Sequence, residues 1–289
     1  MKIIKFPKYL IEFTFIIFFF IIFKIIGIKL STYISGKIFS IFGPLFRSKE
    51  TINKNLRKVY PEITESEIKR KSKNMWEYYG KIFAEYPFLS HFRNDKSKYK
   101  IQIIGEDEID IIRKTNENVI FISGHFDNFE LMAMILEKKE IKLGAIYRPL
   151  NNYLMNGIME FLRKKYICKN QIKKGRSSTR DLLNLFKRGY SIALMIDQRV
   201  SEGLKINFFG EKAYTTTIPA QFVRKFNCKI VPLHIEREDT NNFKITISKP
   251  LKFNKDDSLE KITEELNIWL EDVIKNSRSN WIWSHNRWK

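Results

Sequence analysis

Cysteine is scarce in this chain, and its placement excludes two common kinds of site. The 289 residues include only Cys168 and Cys228, and they form no C-x-x-C pair. Such a chain has no disulfide framework, and its cysteine spacing does not indicate a zinc site. The cysteines therefore favour a reduced, cytosol-facing protein, for which we expect neither a metal nor another cofactor.

Acidic residues are also in the minority. The chain has 32 Asp and Glu against 52 Lys and Arg, which gives a formal net charge of +20. A charge of this sign and size indicates an anionic partner, such as nucleic acid, a membrane surface, an acidic protein or a phosphorylated substrate. Charge alone does not choose among these partners.

Several motifs that would identify other classes of protein are missing. No G-x-S-x-G sequence occurs, so the nucleophile elbow of a serine hydrolase is not supported. There is no RRM-like aromatic motif, zinc-finger spacing or basic-region heptad, and we therefore expect no nucleic-acid partner. No internal repeat or low-complexity linker divides the chain.

A long apolar run is present near the amino terminus. Residues 9–28 read YLIEFTFIIFFFIIFKIIGI, which is close to the roughly 20 residues needed to cross a bilayer. Glu12 and Lys24 lie near its ends, where such side chains can reach the headgroups. Because no small-x-small cleavage site follows, an uncleaved anchor is favoured over a signal peptide. Basic residues flank the run on both sides and leave its orientation open.

Three segments are expected in the chain. They are a membrane anchor (1–30), a helical membrane-proximal segment (31–100) and an α/β domain (101–289). In the second segment, Thr64 and Glu67 form a capping box that predicts the start of a helix.

The third segment alternates between strand-like and helix-like patterns. We predict strands at 101–104, 119–123, 142–147, 191–196, 229–236 and 243–248, and helices at 128–137, 153–166, 177–187, 218–226 and 259–275. This alternation is typical of an α/β fold with a mostly parallel central sheet flanked by helices. In such sheets functional residues gather at the carboxyl ends of strands, where His125, Arg148 and Asp197 fall.

The stretch VIFISGHFDNFEL, residues 119–131, ends a buried strand just before His125 and places Glu130 in the next helix. A carboxylate on one imidazole nitrogen fixes the tautomer and makes the other nitrogen a better base. Without a nucleophile beside it, such a base would deprotonate a substrate hydroxyl directly. The alternative is a structural histidine bonded to the backbone at the end of a strand.

The motif stands among other polar segments in a characteristic order. GHFDNFE is followed by YRPLNN, FLRK, GRSSTRDLLNLFKRG, LMIDQR, NFFGEKAYTTTIPA and a terminal WIWSHNRWK. This order resembles the lipid A late acyltransferases, the lauroyl and myristoyl transferases of lipopolysaccharide synthesis. The resemblance covers almost the whole chain, including the apolar run, and it rests on the ensemble of segments.

The resemblance implies roles for individual residues. His125 and Glu130 would form the family's His-x4-acid catalytic pair, and Arg163 and Asp197 would be further polar residues of the site. From the residues alone, Arg163 is either a phosphate ligand or a solvated charge on a helix, and Asp197 either orders the site or caps a loop. Arg148 is a second candidate for binding a phosphate or carboxylate, with a structural arginine as the alternative.

The resemblance also implies a reaction. An acyl chain would pass from acyl carrier protein to a hydroxyl of a lipid A precursor at the bacterial inner membrane, with the active site facing the cytoplasm. An acyltransferase acting on a lysophospholipid or another glycolipid is the nearer alternative, and a nonenzymatic basic protein at the membrane is the distant one.

Two further regions carry expectations. A basic helix around Arg176, Arg180, Lys187 and Arg188 is a candidate docking site for acidic acyl carrier protein or membrane phosphate, although such charges are usually solvated. The tail, with Trp281, Trp283, His285, Arg287 and Trp288, is expected to fold onto the domain or the membrane interface, and His285 is interpreted as structural. Asp127 and Ser284 depart from the family pattern, so Asp127 either influences His125 or caps the helix.

Overall fold

The computed structural model describes residues 5–94, 97, 99–175, 177–278 and 280–289. Its helices are α1 (Phe6–Ile26), α2 (Ile28–Phe42), α3 (Lys49–Val59), α4 (Glu65–Glu85), α5 (Leu89–Arg93), α6 (Glu106–Thr115), α7 (Glu130–Lys138), α8 (Tyr153–Tyr166), α9 (Ser178–Lys187), α10 (Ile218–Phe226) and α11 (Leu259–Asn276). Its strands are β1 (Ile101–Ile104), β2 (Ile120–Ser123), β3 (Leu143–Tyr147), β4 (Asn170–Lys173), β5 (Ser191–Met195), β6 (Leu204–Phe208), β7 (Glu211–Thr215), β8 (Ile230–Arg237) and β9 (Phe243–Ile247).

The strands confirm the predicted α/β fold with a mostly parallel sheet. In the described part of the chain, a seven-stranded sheet has the order β1-β9-β8-β2-β5-β3-β4. Neighbouring strands are parallel except for β8 and β9, which pair antiparallel. The sheet is mixed only at this one junction, and β6 and β7 form a separate antiparallel hairpin. The sheet's centre, β2, is buried along its whole length.

The register of β2 against β5 determines where the candidate site lies. Ser123 pairs with Met195 in this parallel ladder. His125 and Asp197 each follow their pairing residue by two positions, so both leave the sheet at the same height. Parallel strands present their carboxyl ends at one edge. The fold thereby brings together two side chains that are 72 residues apart in sequence.

The amino-terminal helices form a layer of their own. α1 is the one described helix that is long and apolar enough to cross a membrane. Its exposed large apolar side chains are Phe6, Leu10, Ile11, Phe15, Phe18, Ile21 and Ile25. Gly27 follows with a φ of 79°, a left-handed conformation that glycine adopts without steric cost, and the chain turns there into α2. α2 packs closely on α4, where the Ser35 hydroxyl donates to the Gly80 carbonyl at 2.7 Å. An added Cβ on Gly80 would lie 2.3 Å from the Ser35 carbonyl oxygen.

Most predicted elements form, with small shifts at their ends. The six predicted strands are present, the capping box at Thr64 starts α4, and α8 and α10 have the predicted bounds. The predicted helix 128–137 begins two residues later, at Glu130, because Asp127 has a φ of 33° and holds the chain in a turn. The apolar run predicted for 9–28 is interrupted at Gly27, where α1 has ended and before α2 begins at Ile28.

Four elements escaped the sequence patterns. β4 reads NQIK at the edge of the sheet, and the hairpin of β6 and β7 reads LKINF and EKAYT, so none of these strands has an apolar run. α6 starts with three acidic residues after Gly105. Short, polar elements at an edge or surface lack the burial that gives a sequence its periodicity.

Candidate active site

His125 is held by Asp197 through both its ring and its backbone. Nδ1 of His125 lies 2.7 Å from Oδ1 of Asp197, and the His125 backbone amide donates to Oδ2 at 2.8 Å. A carboxylate on Nδ1 places the ring proton there and leaves Nε2 with its lone pair free to act as a base. The sequence-based interpretation of Asp197 as a residue that orders the site agrees with this contact.

Asp197 is fully buried, and its charge is maintained by donors on both sides. Burial on its own would raise the pKa of Asp197, but the charge and hydrogen bonds of His125, together with the Trp281 indole, lower the pKa to about 2. Trp281 Nε1 donates to Oδ2 at 2.9 Å. The carboxylate is therefore ionised at neutral pH and available to stabilise an imidazolium.

The other edge of the imidazole faces a cavity. The His125 side chain is 20% exposed and lines this cavity. Its Nε2 lies 3.4 Å from Nε2 of Gln198, and its ring makes an edge-on contact with Phe129 at a centroid distance of 4.7 Å. The ring is thus fixed from behind and from the side, while Nε2 is directed toward the space that a substrate would occupy.

Glu130 makes different contacts from those predicted. Its Oε1 accepts from Arg163 Nε at 2.8 Å, from Arg163 Nη2, and from the Tyr86 hydroxyl at 2.6 Å. The imidazole of His125 is hydrogen bonded to Asp197 in this structure, and the predicted contact between His125 and Glu130 is not among the hydrogen bonds of the described residues. The reason is geometric: α7 begins at Glu130, and this first helical residue faces the end of α4 and the side of α8.

The side chains around Glu130 are almost inaccessible to solvent, which strengthens the attraction between their charges. The ion-paired side chains of Arg163 and Glu130 are 11% and 9% exposed. Burial alone would lower the pKa of Arg163, but Glu130 raises it above its usual value, and burial raises the pKa of Tyr86. The guanidinium also lies over the Tyr147 ring. Nε and Nη2 of Arg163 hold the Glu130 carboxylate, whereas the buried Nη1 has no hydrogen-bond partner among the described residues.

Asp127 supports the turn that carries His125. Its carboxylate accepts hydrogen bonds from the backbone amides of Arg237 and Asn280 and from the Asn280 side chain. Burial raises the pKa of Asp127, with Arg237 opposing that rise. These contacts tie the turn to β8 and to the carboxyl-terminal tail. The carboxylate therefore does not cap α7, whose N-cap residue is Phe129.

The cavity at His125 is large and has two kinds of lining. Its volume is about 1220 Å³, at the upper end of ordinary ligand sites. One part is lined by buried apolar side chains, namely Met132, Leu136, Ala145 and Ile167. Basic residues, most of them exposed, line another part, namely Arg47, Arg148, Lys174, Arg199 and Lys289. The cavity thus offers space for an apolar chain beside a positively charged rim.

The other basic candidates differ in position. Arg148 is exposed on the rim, just after β3. In the predicted basic helix, α9, Arg180 and Lys187 are exposed, as is the adjoining Arg188, but none lines the cavity. Arg176 lies outside the described residues.

The carboxyl-terminal tail folds onto the domain, as predicted. The Asn55 side chain donates to the carbonyls of Trp283 and His285. Nε2 of His285 accepts from the Arg199 amide at 3.0 Å, and burial lowers the pKa of His285 to about 4. A neutral histidine bonded to backbone agrees with its structural interpretation. Arg287 is fully buried against Phe208 and donates to Thr215.

Both cysteines are buried thiols. Cys168 and Cys228 are free and buried, and burial raises the pKa of each thiol to about 12, which makes both unreactive at neutral pH. Among the residues that the structure describes, no group of three His, Cys, Asp or Glu side chains is placed to hold a metal ion.

Three residues of the site escaped the sequence analysis. Tyr86 follows the last residue of the long helix α4, and its hydroxyl donates to Glu130. Gln198 directly follows the candidate Asp197 in LMIDQR. Trp281 was assigned only to a folded tail. For Gln198, its position next to the candidate Asp197 in sequence was a signal that could have identified it. Tyr86 and Trp281 reach the site only through tertiary folding.

The comparison with protein families fits this arrangement. The family described as bacterial lipid A biosynthesis acyltransferase matches residues 2–289, essentially the whole chain. No curated protein matches the chain. The family implies an acyltransferase whose substrates are a lipid A precursor and an acyl donor. From its fold, its site and this match along its length, the chain belongs to the bacterial lipid A biosynthesis acyltransferase family.

Proposed function

We propose that the protein transfers a fatty acyl chain from the thioester of acyl carrier protein to a hydroxyl of a lipid A precursor, with His125 as the general base. The observation that carries this proposal is the His125–Asp197 pair at the wall of a cavity with apolar and basic linings, where Nε2 of His125 accepts a long hydrogen bond from Gln198 that a substrate hydroxyl would replace. An apolar wall suits an acyl chain, and a basic rim suits an anionic lipid or an acidic carrier.

The chemistry begins at the acceptor hydroxyl. Nε2 of His125 takes the hydroxyl proton as the oxygen attacks the thioester carbonyl carbon, which forms a tetrahedral intermediate. The C–S bond then breaks, and the imidazolium returns the proton to the leaving thiolate. Asp197 stabilises the imidazolium between these steps. General base assistance of this kind contributes roughly 10²- to 10⁴-fold to a rate.

The remaining catalysis would come from the start of α7 and from positioning. The amino end of a helix carries a partial positive charge, and α7 begins at Glu130, next to the Phe129 ring that contacts His125. Such an end can stabilise the developing oxyanion. We propose that the Glu130–Arg163–Tyr86 cluster fixes this end of α7, with Glu130 and Arg163 also lining the cavity. Glu130 then serves the site without orienting His125.

The surface around the cavity supports a substrate that enters from a membrane. Phe46 and Leu150 line the cavity and are 79% and 42% exposed, and neighbouring Leu45 is 79% exposed. Arg47 directly follows Phe46, and Arg148 lies two residues before Leu150. Apolar side chains next to basic ones suit the boundary between acyl chains and headgroups. We propose that α1 anchors the protein in the bacterial inner membrane with the cavity on the cytoplasmic side.

The test is transfer of labelled acyl chains in detergent from acyl carrier protein to a tetra-acylated lipid A precursor. The wild type is compared with His125→Ala, Asp197→Asn and Glu130→Ala. His234→Gln is the matched control, since His234 lies on β8 and does not line the cavity. Activity in the wild type and control, with large losses in the other three, supports the proposal.

Two other outcomes overturn parts of it. Equal activity in the wild type and His125→Ala would remove His125 as the base. A wild type that acylates lysophospholipids but no lipid A precursor would replace the proposed acceptor and leave the chemistry in place.

A further inference from the structure

The carboxyl-terminal tail enters the wall behind His125. Trp281 forms an antiparallel bridge with Phe126, the residue after the histidine. The Asp127 amide donates to the Asn280 carbonyl at 3.1 Å, and the Arg199 side chain donates to the Lys289 carbonyl at 2.8 Å. The tail is therefore joined at both ends to segments that carry the site, namely the turn after β2 and the loop after β5.

Trp281 is the one donor to Asp197, among the described residues, that does not belong to His125. Oδ1 of Asp197 contacts the imidazole, while Oδ2 receives the His125 amide and the Trp281 indole. Trp281 is itself only 1% exposed. The terminal torsion of an aspartate is broad and weakly restrained on its own. A third hydrogen bond from an immobile indole fixes the plane of the carboxylate.

We propose that Trp281 is a positioning residue of the transfer reaction, which acts by holding Asp197 in the plane that orients His125. This inference rests on the proposed role of His125 as general base. The tail thereby becomes part of the catalytic apparatus rather than a lid or a packing element. The indole does not line the cavity, so its effect on the rate would be transmitted through the carboxylate.

The donor also sets how much negative charge faces the histidine. A hydrogen bond to Oδ2 withdraws charge from the carboxylate, so its loss leaves more charge to stabilise the imidazolium. Other ionisable groups near this pair include His285 and Arg287 in the tail, Tyr78 and Tyr79 on α4, and Asp127 in the adjoining turn. None of them is altered by removing the indole donor. A Trp281 variant that lacks this donor is therefore expected to keep the His125 imidazole protonated up to a higher pH than the wild type does.

The experiment uses the full-length protein in detergent and two changes at Trp281. Trp281→Phe removes the donor and part of the ring, whereas β-(3-benzothienyl)alanine at this position keeps the ring shape and removes only the N–H. Trp288→Phe is the matched control, because its Nε1 donates to the Phe208 carbonyl at 3.0 Å. It loses the same kind of bond in the same tail, away from Asp197.

We expect both Trp281 variants to lower kcat roughly 10- to 100-fold, since hydrogen bonds to charged groups and small misplacements have effects of this size. KM should change by less than about twofold, and the acid limb of the kcat profile should move up by about 0.5–1 pH unit. The Trp288→Phe variant should keep kcat within about threefold of the wild-type value. The acid limb of its kcat profile should stay at the wild-type pH. A benzothienyl variant with wild-type kcat and limb would overturn the inference, even if Trp281→Phe fails to fold.

A second readout does not depend on the substrate. Diethyl pyrocarbonate modifies neutral imidazole, and the extent of modification at His125 can be followed by mass spectrometry as a function of pH. The midpoint should rise in the Trp281 variants and stay fixed in Trp288→Phe. If the wild type fails to acylate a lipid A precursor but the midpoint still moves, the proposed function fails and the role of Trp281 stands. An unmoved midpoint in the benzothienyl variant contradicts that role whatever the substrate.

Discussion

Two carboxylates near His125 have opposite surroundings. In the part of the chain that the structure describes, Asp197 accepts hydrogen bonds from His125 and from the Trp281 indole. Its negative charge lies beside the imidazole. Glu130, five residues after the histidine in sequence, has its charge balanced by Arg163 and a tyrosine hydroxyl. Nearness along the chain therefore does not identify the partner of the histidine. The partner comes from the neighbouring strand, because parallel strands end at the same edge of the sheet.

The two pairs also differ in what they are expected to contribute. The His125–Asp197 pair keeps one imidazole nitrogen directed at the cavity, so its main effect should be on the rate. The Glu130–Arg163 pair is a buried ion pair between α7 and α8, so its main effect should be on the stability of the cavity wall. Substitutions in each pair can separate these contributions.

The largest effect is expected from the first pair. His125→Ala removes the base, and Asp197→Asn removes the charge that stabilises the imidazolium, so each should lower kcat by roughly 10²- to 10⁴-fold. His125→Ala also leaves the fully buried Asp197 carboxylate without its imidazole partner, so the unfolding midpoint of this variant should fall, and kcat is compared at a temperature below that midpoint. Steady-state acyl transfer and thermal unfolding in the same detergent measure both quantities. A fall in kcat below tenfold for both variants would contradict the assignment.

The second pair should respond in its stability. Arg163→Met leaves the Glu130 charge buried beside only Tyr86, and such a loss costs about 3–5 kcal/mol in the free energy of unfolding. The double variant Arg163→Met/Glu130→Gln removes that isolated charge and keeps an acceptor for Tyr86, so part of the loss should be recovered. Denaturant unfolding of the wild type, both single variants and the double variant measures the coupling. Strictly additive losses would show that the two side chains do not interact.

A packing defect away from both pairs provides the baseline. Gly80→Ala puts a methyl group 2.3 Å from the Ser35 carbonyl oxygen, so α2 must move off α4, and overpacking of this kind costs about 1–3 kcal/mol. Gly157→Ala on α8 meets nothing within 4 Å and should be neutral or stabilising by about 1 kcal/mol or less. Thermal unfolding should give a lower midpoint for Gly80→Ala than for Gly157→Ala. The pH profile of acyl transfer should follow the wild type in both variants. A wild-type midpoint for Gly80→Ala would contradict the close approach.

The smallest expected effect is the pH dependence of stability from Asp197. Its pKa of about 2 in the folded protein lies below the ordinary value of 3.8, so ionised Asp197 stabilises the fold above about pH 4. That contribution is lost as the pH falls toward 2. The unfolding midpoint of Asp197→Asn should therefore fall less over this window than that of the wild type. Asp181→Asn, at an exposed carboxylate on α9, is the control and should follow the wild type.

Much of the fold could be predicted from the sequence, because its central strands are apolar runs. The strand ending before His125 and the strand ending before Asp197 were both recognised by their composition, and both residues were candidates for the site. The capping box at Thr64 was sufficient to predict the start of α4, since it depends on neighbouring residues alone. Predictions of this kind succeed where the cause of a structure is local.

The pairing within the site could not be predicted in the same way. The order of strands in the sheet decides that His125 meets Asp197, and no single strand encodes its neighbours. The bond between Trp281 and Asp197 spans 84 residues and requires the tail to fold back over the turn after β2. The partner of Glu130 depends on the side of α8 that faces α7. The candidates were local, and their contacts were set by tertiary structure.

The most direct test of this account is the acid limb of the kcat/KM profile for acyl transfer in Asp197→Asn and Glu130→Gln. Loss of the Asp197 charge withdraws support from the imidazolium, so the limb of that variant should move to lower pH, while Glu130→Gln should keep the wild-type limb. An acid limb that moves in Glu130→Gln and stays fixed in Asp197→Asn would contradict the account. Glu130, and not Asp197, would then be the carboxylate that supports the His125 imidazolium.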